Sequence, residues 1–262
     1  MKRALAVLVA LVALSTPLFA DVTMKSTVSG KGMGMDRSMD TTTYIKGSKM
    51  RSDIVTGDTV RTTIFDTDTQ KMISFDSKKK EADVYDMAKL SADIAQNVQV
   101  GDMKASVKAN GKTKVIGGKT ATGYDMEVSV PATMGGAGGM KMTVNLSGPV
   151  WIVKGAPGTA EYLAFYKNAI DKNFFFSDPR VAKAQPGQAK AMAEMYKQLA
   201  ATGGIPYETE TNVKMTGEGQ MAAMMAKMGN ISSTTTVTSI ETGTLAADLF
   251  AVPAGYKLKE QK

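Results

Sequence analysis

The sequence predicts an α+β fold: a curved antiparallel sheet covered by helices. Two observations carry this: period-two alternation in the flanks of the chain, and a switch to helical spacing in the middle. The stretch from Thr41 to Met87 is the clearest. TTTYI, KMRSDI, TVRTTIF, KMISF and ADVYDM alternate β-branched or aromatic residues with polar ones. KGS, TGD, DTDTQ and DSKKKE punctuate them, the turn chemistry of an antiparallel meander with one apolar and one wet face.

The remaining elements follow in order. A strand alternates from Val22 to Val28, and the Gly/Met-rich GKGMGMDRSMD leads into the meander. Leu90, Ile94 and Val98 share one side of a short helix over 87–98. Residues 104–116 and 122–131 read as strands, with Asn110-Gly111 as a hairpin cue and Gly117-Gly118 as a second turn. TMGGAGGM at 133–140 makes a tip, and KMTVNLSGPVWIVKG returns as a strand holding the single tryptophan, Trp151.

The period then changes. Thr159 can cap a helix near 160–172 that gathers Tyr162, Phe165, Tyr166 and Ile170. Pro186 opens a second helix, near 187–201, with Met192, Met195, Tyr196 and Leu199, stopped by Gly203-Gly204. GGIPYETETNVKMTG is a strand, and Met221, Met224, Met225 and Met228 mark a third helix near 219–228. ISSTTTVTSIETG is a Thr-rich strand, and LAADLFAVPAGYKLK closes the chain. No interior linker marks a boundary, so residues 21–262 read as one domain.

Residues 1–20 read as a cleavable signal peptide: Lys2 and Arg3, an apolar run from Ala4 to Leu14, and Ala20 ahead of Asp21. The run is shorter than the roughly 20 residues that span a bilayer. The expected mature chain is therefore soluble and periplasmic or secreted, with no transmembrane segment. The absence of cysteine excludes lipid attachment at the new N-terminus.

Composition excludes more. The chain has no Cys and no His. Cys/His zinc sites, iron–sulfur clusters, His- or Cys-ligated haem, thiol chemistry and His-based triads are closed to it. Without disulfides, its core must hold the fold. After the signal, 30 basic residues face 25 acidic ones, a charge of +5. The basic residues are dispersed, and the only run, Lys78 to Lys80, sits in a turn. Nothing resembles an aromatic-interleaved basic stripe, so nucleic acid is not an expected partner.

Methionine is the outstanding residue: 20 against 8 Phe. Met33, Met35 and Met39 lie in one Gly-rich connection, Met134, Met140 and Met142 flank another, and the four at 221–228 form a helical stripe. Such a stripe fits core packing. It also fits an adaptable apolar pocket, because thioethers are unbranched and polarisable. A third reading is Cu(I) ligation by sulfur alone, with Met33, Met35 and Met39 as the ligands. The acidic residues Asp66, Asp68, Asp76, Glu81, Asp83 and Asp86 mostly occupy turn positions that favour Asp for local backbone bonding. DTDTQ lacks the glycine and terminal Glu of a hand-type calcium loop.

YIKGSKMRSDI, TIFDTDTQKMISFDSKKKEADVYDM, TKVIGGKTATGYDMEV, GGIP at 203–206 and LFAVPAGYK at 249–257 together resemble an uncharacterised family of exported bacterial proteins, domain of unknown function 4412. That family is similar in its strand–turn–strand core to periplasmic lipoprotein carriers and outer-membrane lipoprotein-sorting proteins. The resemblance implies a curved, incomplete antiparallel β-barrel, lipoprotein-carrier-like, with helices over its open side. It implies an apolar cavity for a lipid or the acyl chains of a lipidated protein, and transient contact with membrane surfaces. On this reading Arg51 lies in the strand that turns polar contacts toward the lid, and Met221, Met224, Met225 and Met228 form the pocket cover. No cofactor and no catalytic residue is expected. The expected function is binding of an apolar small molecule or lipidated protein.

Overall fold

Twelve strands join in one sheet in the computed structural model, which describes residues 20–31, 38–97, 103–134, 140–174, 176, 179, 182, 186–217 and 231–261. The strands are β1 (Asp21–Lys31), β2 (Ser38–Lys46), β3 (Lys49–Thr56), β4 (Thr59–Asp66), β5 (Lys71–Asp76), β6 (Glu81–Asp86), β7 (Lys104–Ile116), β8 (Lys119–Met134), β9 (Met140–Val153), β10 (Ile205–Gly217), β11 (Ile231–Gly243) and β12 (Lys257–Gln261). Three helices accompany them: α1 (Met87–Asn97), α2 (Thr159–Asp171) and α3 (Pro186–Ala201). The sheet runs β12-β6-β5-β4-β3-β2-β1-β11-β10-β9-β8-β7, so β12 and β7 are its edges and it does not close. The α+β class read from the sequence is what the chain adopts, and among the described residues no helix is long and apolar enough to cross a membrane.

The meander forms because its turns are chemically prepared. Asp66 Oδ1 accepts from the amides of Asp68 (3.0 Å) and Thr69 (3.2 Å). Asp76 Oδ1 accepts from Lys78 (2.8 Å) and Lys79 (3.3 Å), and Asp86 from Lys89 (2.9 Å). These carboxylates serve their own backbone, the usual role of turn Asp. Helices α1, α2 and α3 lie within one residue of the expected bounds. The remaining expected helix, near 219–228, lies outside the described residues.

Two expectations are corrected. Asn110-Gly111 does not make a hairpin. Strand β7 runs straight through it, and the pairs Ala109–Tyr124 and Thr113–Thr122 show two extra residues on the β7 side. Gly111 takes φ +74°, while Asn110 caps the bulge by accepting from Lys112 N (3.1 Å) and donating to Asp125 (2.8 Å). The hairpin turns instead at Gly117-Gly118. The sheet is also not wholly antiparallel, because β12 pairs parallel with β6. Residues 244–256 cross the sheet before β12 begins, and a connection of about a dozen residues is what a parallel pairing requires. Leu245, Leu249, Phe250, Val252 and Tyr256 of that crossing pack on Ile64, Phe75 and Ala82.

Helices α2 and α3 lie on the opposite face. One buried cluster joins Tyr162, Phe165, Tyr166 and Ala169 of α2 to residues from every strand between β1 and β11. A second joins Ala191, Met195 and Leu199 of α3 to Met126, Val128, Val130, Leu146, Val150 and Ile152. Edge strand β7 is guarded by α3. Gln198 accepts from Val107 N and donates to Ala105 O, each at 2.8 Å, occupying edge groups that would otherwise invite another strand.

Candidate functional site

Register turns the helix-covered face of β1–β6 into ordered rows. Directly paired residues run Val22, Ile45, Met50, Phe65, Met72 and Tyr85 across six strands, all buried. Alternation places each on the same face. This apolar row is the floor on which α2 sits.

Aromatic rings fill the space between row and helices. Phe176 meets Phe65 edge-on at 5.4 Å and Tyr166 at 4.9 Å. Tyr166 stacks on Tyr196 of α3 at 5.6 Å and lies 4.5 Å from Tyr162. The Tyr166 hydroxyl donates to Met50 Sδ at 3.9 Å. Burial pushes the Tyr162, Tyr166 and Tyr196 phenols up, and for Tyr166 the neighbouring Tyr162 and Tyr196 add to it. These hydroxyls stay neutral at any physiological pH.

Two residues further along each strand the same face changes character. The next row reads Ile240, Met24, Thr43, Ser52, Thr63, Ser74 and Asp83, again directly paired from β11 to β6. Met24 and Ile240 pack on the main core, while Thr43 and Ser74 are only 9% exposed and Ser52 and Thr63 half-buried. Among the described residues, none of these four hydroxyls makes a side-chain hydrogen bond. At the row's end Asp83 accepts from Gln261 (2.7 Å), and its neighbour on β12, Lys259, is paired with Glu81.

The sequence-predicted residues fall unevenly on this frame. Met39 is half-buried on the same face, paired with Val28. Met33, Met35, Met221, Met224, Met225 and Met228 lie outside the described residues. The strands that carry these segments are nevertheless placed. Connections 32–37, 218–230 and 135–139 all leave from the same end of the sheet, between β1 and β2, β10 and β11, and β8 and β9, which adjoin in the order β2-β1-β11-β10-β9-β8. Helices α2 and α3, and the start of α1, attach at the opposite end.

Arg51 is corrected: it faces away from the helices. Alternation sets it opposite Met50, where Nε contacts both Asp53 oxygens (2.9 and 3.0 Å) and Nη1 donates to Leu249 O (2.8 Å). Thr62 Oγ1 donates to Asp53 Oδ1 at 2.6 Å. Arg51 therefore pins the C-terminal crossing to the outer face. Arg51→Ala strands a mostly buried carboxylate and a carbonyl, so unfolding free energy should fall by about 2 kcal/mol, as for hydrogen bonds to charged groups. Denaturant titration reads this. An unchanged unfolding free energy would show that these contacts carry no net stability.

At the helix end an open notch of about 420 Å³ is lined by Ala20, Ala156, Pro157, Gly158, Thr159, Ala160, Glu161 and Thr242. Glu161 is buried there and accepts from Gly47 N. The same end holds Asp21, whose Oδ2 accepts from Lys46 Nζ and Leu245 N, each at 2.7 Å. Among the described residues no three or more Asp or Glu gather to hold a metal ion.

Sequence reading missed the hydroxyl row. Each member is an ordinary polar residue two positions from an apolar one, and only the register aligns them. Comparison with known proteins adds little. No family model matches the chain, and no curated protein does. A solved structure described as "Structure of PNGF-II in C2 space group" aligns at 12% identity and a TM-score of 0.36, over 92% of this chain and 31% of that one. The chain thus spans about a third of that structure's length.

Proposed function

We propose that the chain is an exported carrier-type protein that binds an apolar ligand, a lipid or the acyl chains of a lipidated protein, on the helix-covered face of a curled sheet. It acts by binding, without catalysis or a resident cofactor. The observation that carries this is that adjoining strands meet, at one end of the sheet, two connections rich in methionine, 32–37 and 218–230, and a third, 135–139, flanked by Met134 and Met140. Unbranched, polarisable thioethers at such a rim would suit an adaptable apolar mouth. Acyl burial contributes about 0.8 kcal/mol per CH₂, so such a mouth binds without any reactive group.

Curling of the sheet into an incomplete barrel is supported by the core. Twelve flat strands at about 4.8 Å spacing would span about 50 Å, whereas α2, with 13 residues, is about 20 Å long. A single cluster around that helix draws on β1 through β11, which a flat sheet could not supply. Export and a single mature domain over 21–262 are supported by the start of β1 at Asp21, the residue after the expected cleavage site, with Val22 fully buried next to it.

The alternative, Cu(I) held by Met33, Met35 and Met39, draws on the same rim, because Met39 shares the inner face. One experiment separates the two. Replacing Met221, Met224, Met225 and Met228 together with Ser should abolish binding of a fluorescent long-chain fatty acid, while Leu at all four, similar in volume, should largely retain it. A stoichiometric Cu(I) signal in the wild type that is lost on Met33→Leu, Met35→Leu and Met39→Leu, with no lipid probe bound by either protein, would replace the carrier reading with the metal one.

A further inference from the structure

We infer that Thr43, Ser52, Thr63 and Ser74 form a polar strip that binds a neutral, polyhydroxylated head group, such as the sugar of an amphipathic ligand whose chain lies against the apolar side. The inference rests on the carrier reading and specifies the other half of its ligand.

Four directly paired residues from β2 to β5 place their hydroxyls in line, at about 4.8 Å steps set by strand spacing. A sheet face open to water tolerates Ser and Thr anywhere. Here Thr43 and Ser74 are more than nine-tenths buried, and among the described residues neither hydroxyl has a side-chain partner. Buried polar groups in folded proteins are hydrogen-bonded, and leaving one unpaired costs about 1–3 kcal/mol. Groups buried without a partner among the described residues, at both ends of a half-exposed row, point to something that comes to meet them.

The chemistry of the row selects among ligands. A hydroxyl both donates and accepts, which matches sugar hydroxyls in either direction. The row itself holds no cation to receive a phosphate or carboxylate. At its charged end Lys259 is paired with Glu81, while Asp83 has only the neutral donor Gln261 and its carboxylate disfavours an anion. At the other end Met24 and Ile240 belong to the core side. An amphipathic molecule therefore finds an apolar end and a neutral polar strip along one line of the sheet.

The test uses the mature chain and three probes: dodecyl maltoside and dodecyl sulfate, each below its micelle concentration, and maltose. Affinities come from calorimetry on wild type and on the near-isosteric Ser52→Ala/Thr63→Val double variant. Two lost hydrogen bonds amount to about tenfold in affinity. The expected result is maltoside binding about tenfold tighter than sulfate in the wild type, with that preference gone in the variant and dodecyl sulfate affinity unchanged. Equal affinity for the two detergents, or a preference that survives the variant, overturns the strip while leaving an apolar site standing. Maltose binding alone, weakened in the variant, keeps the strip and sinks the carrier reading. No binding by any probe overturns both. Should the double variant unfold, Ser52→Ala alone carries the comparison, Ser52 being half-buried. A variant that is destabilised yet keeps full maltoside affinity makes the row structural and overturns the inference.

Discussion

Gly148→Ala should lower the melting temperature by about 10 °C, more than any other single glycine-to-alanine change in the sheet. A Cβ at this position would sit 2.0 Å from the carbonyl oxygen of Glu210 and 2.9 Å from its carbon. Both are backbone atoms of β10, so no side chain can swing aside. Strands β9 and β10 pair on either side of the contact, at Val150–Thr209 and Ser147–Asn212, which ties down the segment that would have to move. Relief must come from parting two central strands, at the upper end of the about 1–3 kcal/mol typical of overpacking. For a chain of this size that converts to about 10 °C. Gly47→Ala is the control. It has φ +55° and open space around it, so it carries backbone strain without a clash and should cost about 1 kcal/mol. Thermal melts of the two variants compare the effects directly. Equal losses would mean that β9 and β10 part more easily than their pairing implies.

This contact also shows what could be read from sequence and what could not. Strand existence in the meander was legible because alternation and turn chemistry are local: TTTYI, KMISF and ADVYDM each carry their own period, and Asp66 and Asp76 their own turns. The helices were legible for the same reason, with Tyr162, Phe165 and Tyr166 marking α2. Register was not. Nothing in SGPVWIV reveals that Gly148 will face the backbone of Glu210, 62 positions later. The parallel edge strand was missed because its pairing depends on where a crossing of the outer face ends. Asn110-Gly111 misled because a left-handed glycine serves a bulge as well as a hairpin. Arg51 was assigned to the wrong face because family-level analogy fixed the strand, whereas one residue of alternation fixes the side. The hydroxyl row belongs to the same class: four common residues that become a site only when four strands align.

Alkaline pH should strip stability from this protein faster than its charge balance alone predicts, through the three tyrosines between α2, α3 and the apolar row. Tyr162 and Tyr166 are buried and Tyr196 half-buried among rings, and burial raises each phenol above its ordinary value of 10. Below pH 10 both folded and unfolded chains hold these protons, so their contribution is fully present. Above pH 10 the unfolded chain releases protons that the folded chain keeps, and ionisation then favours unfolding. Each phenol costs up to about 1.4 kcal/mol per pH unit in that range. The two most strongly raised, Tyr162 and Tyr166, together approach about 3 kcal/mol at pH 11, a large part of the roughly 5–15 kcal/mol that holds a typical domain. Lysine deprotonation contributes at the same pH, and the Tyr162→Phe/Tyr166→Phe/Tyr196→Phe variant separates it. That variant loses the Tyr166–Met50 contact and a little stability at pH 7, but its stability should fall clearly less steeply between pH 10 and 11 than that of the wild type. Phenolate absorbance supplies the second readout: for these three residues it should appear with unfolding and not before. Parallel pH profiles for variant and wild type would show that water reaches the cluster in the folded state.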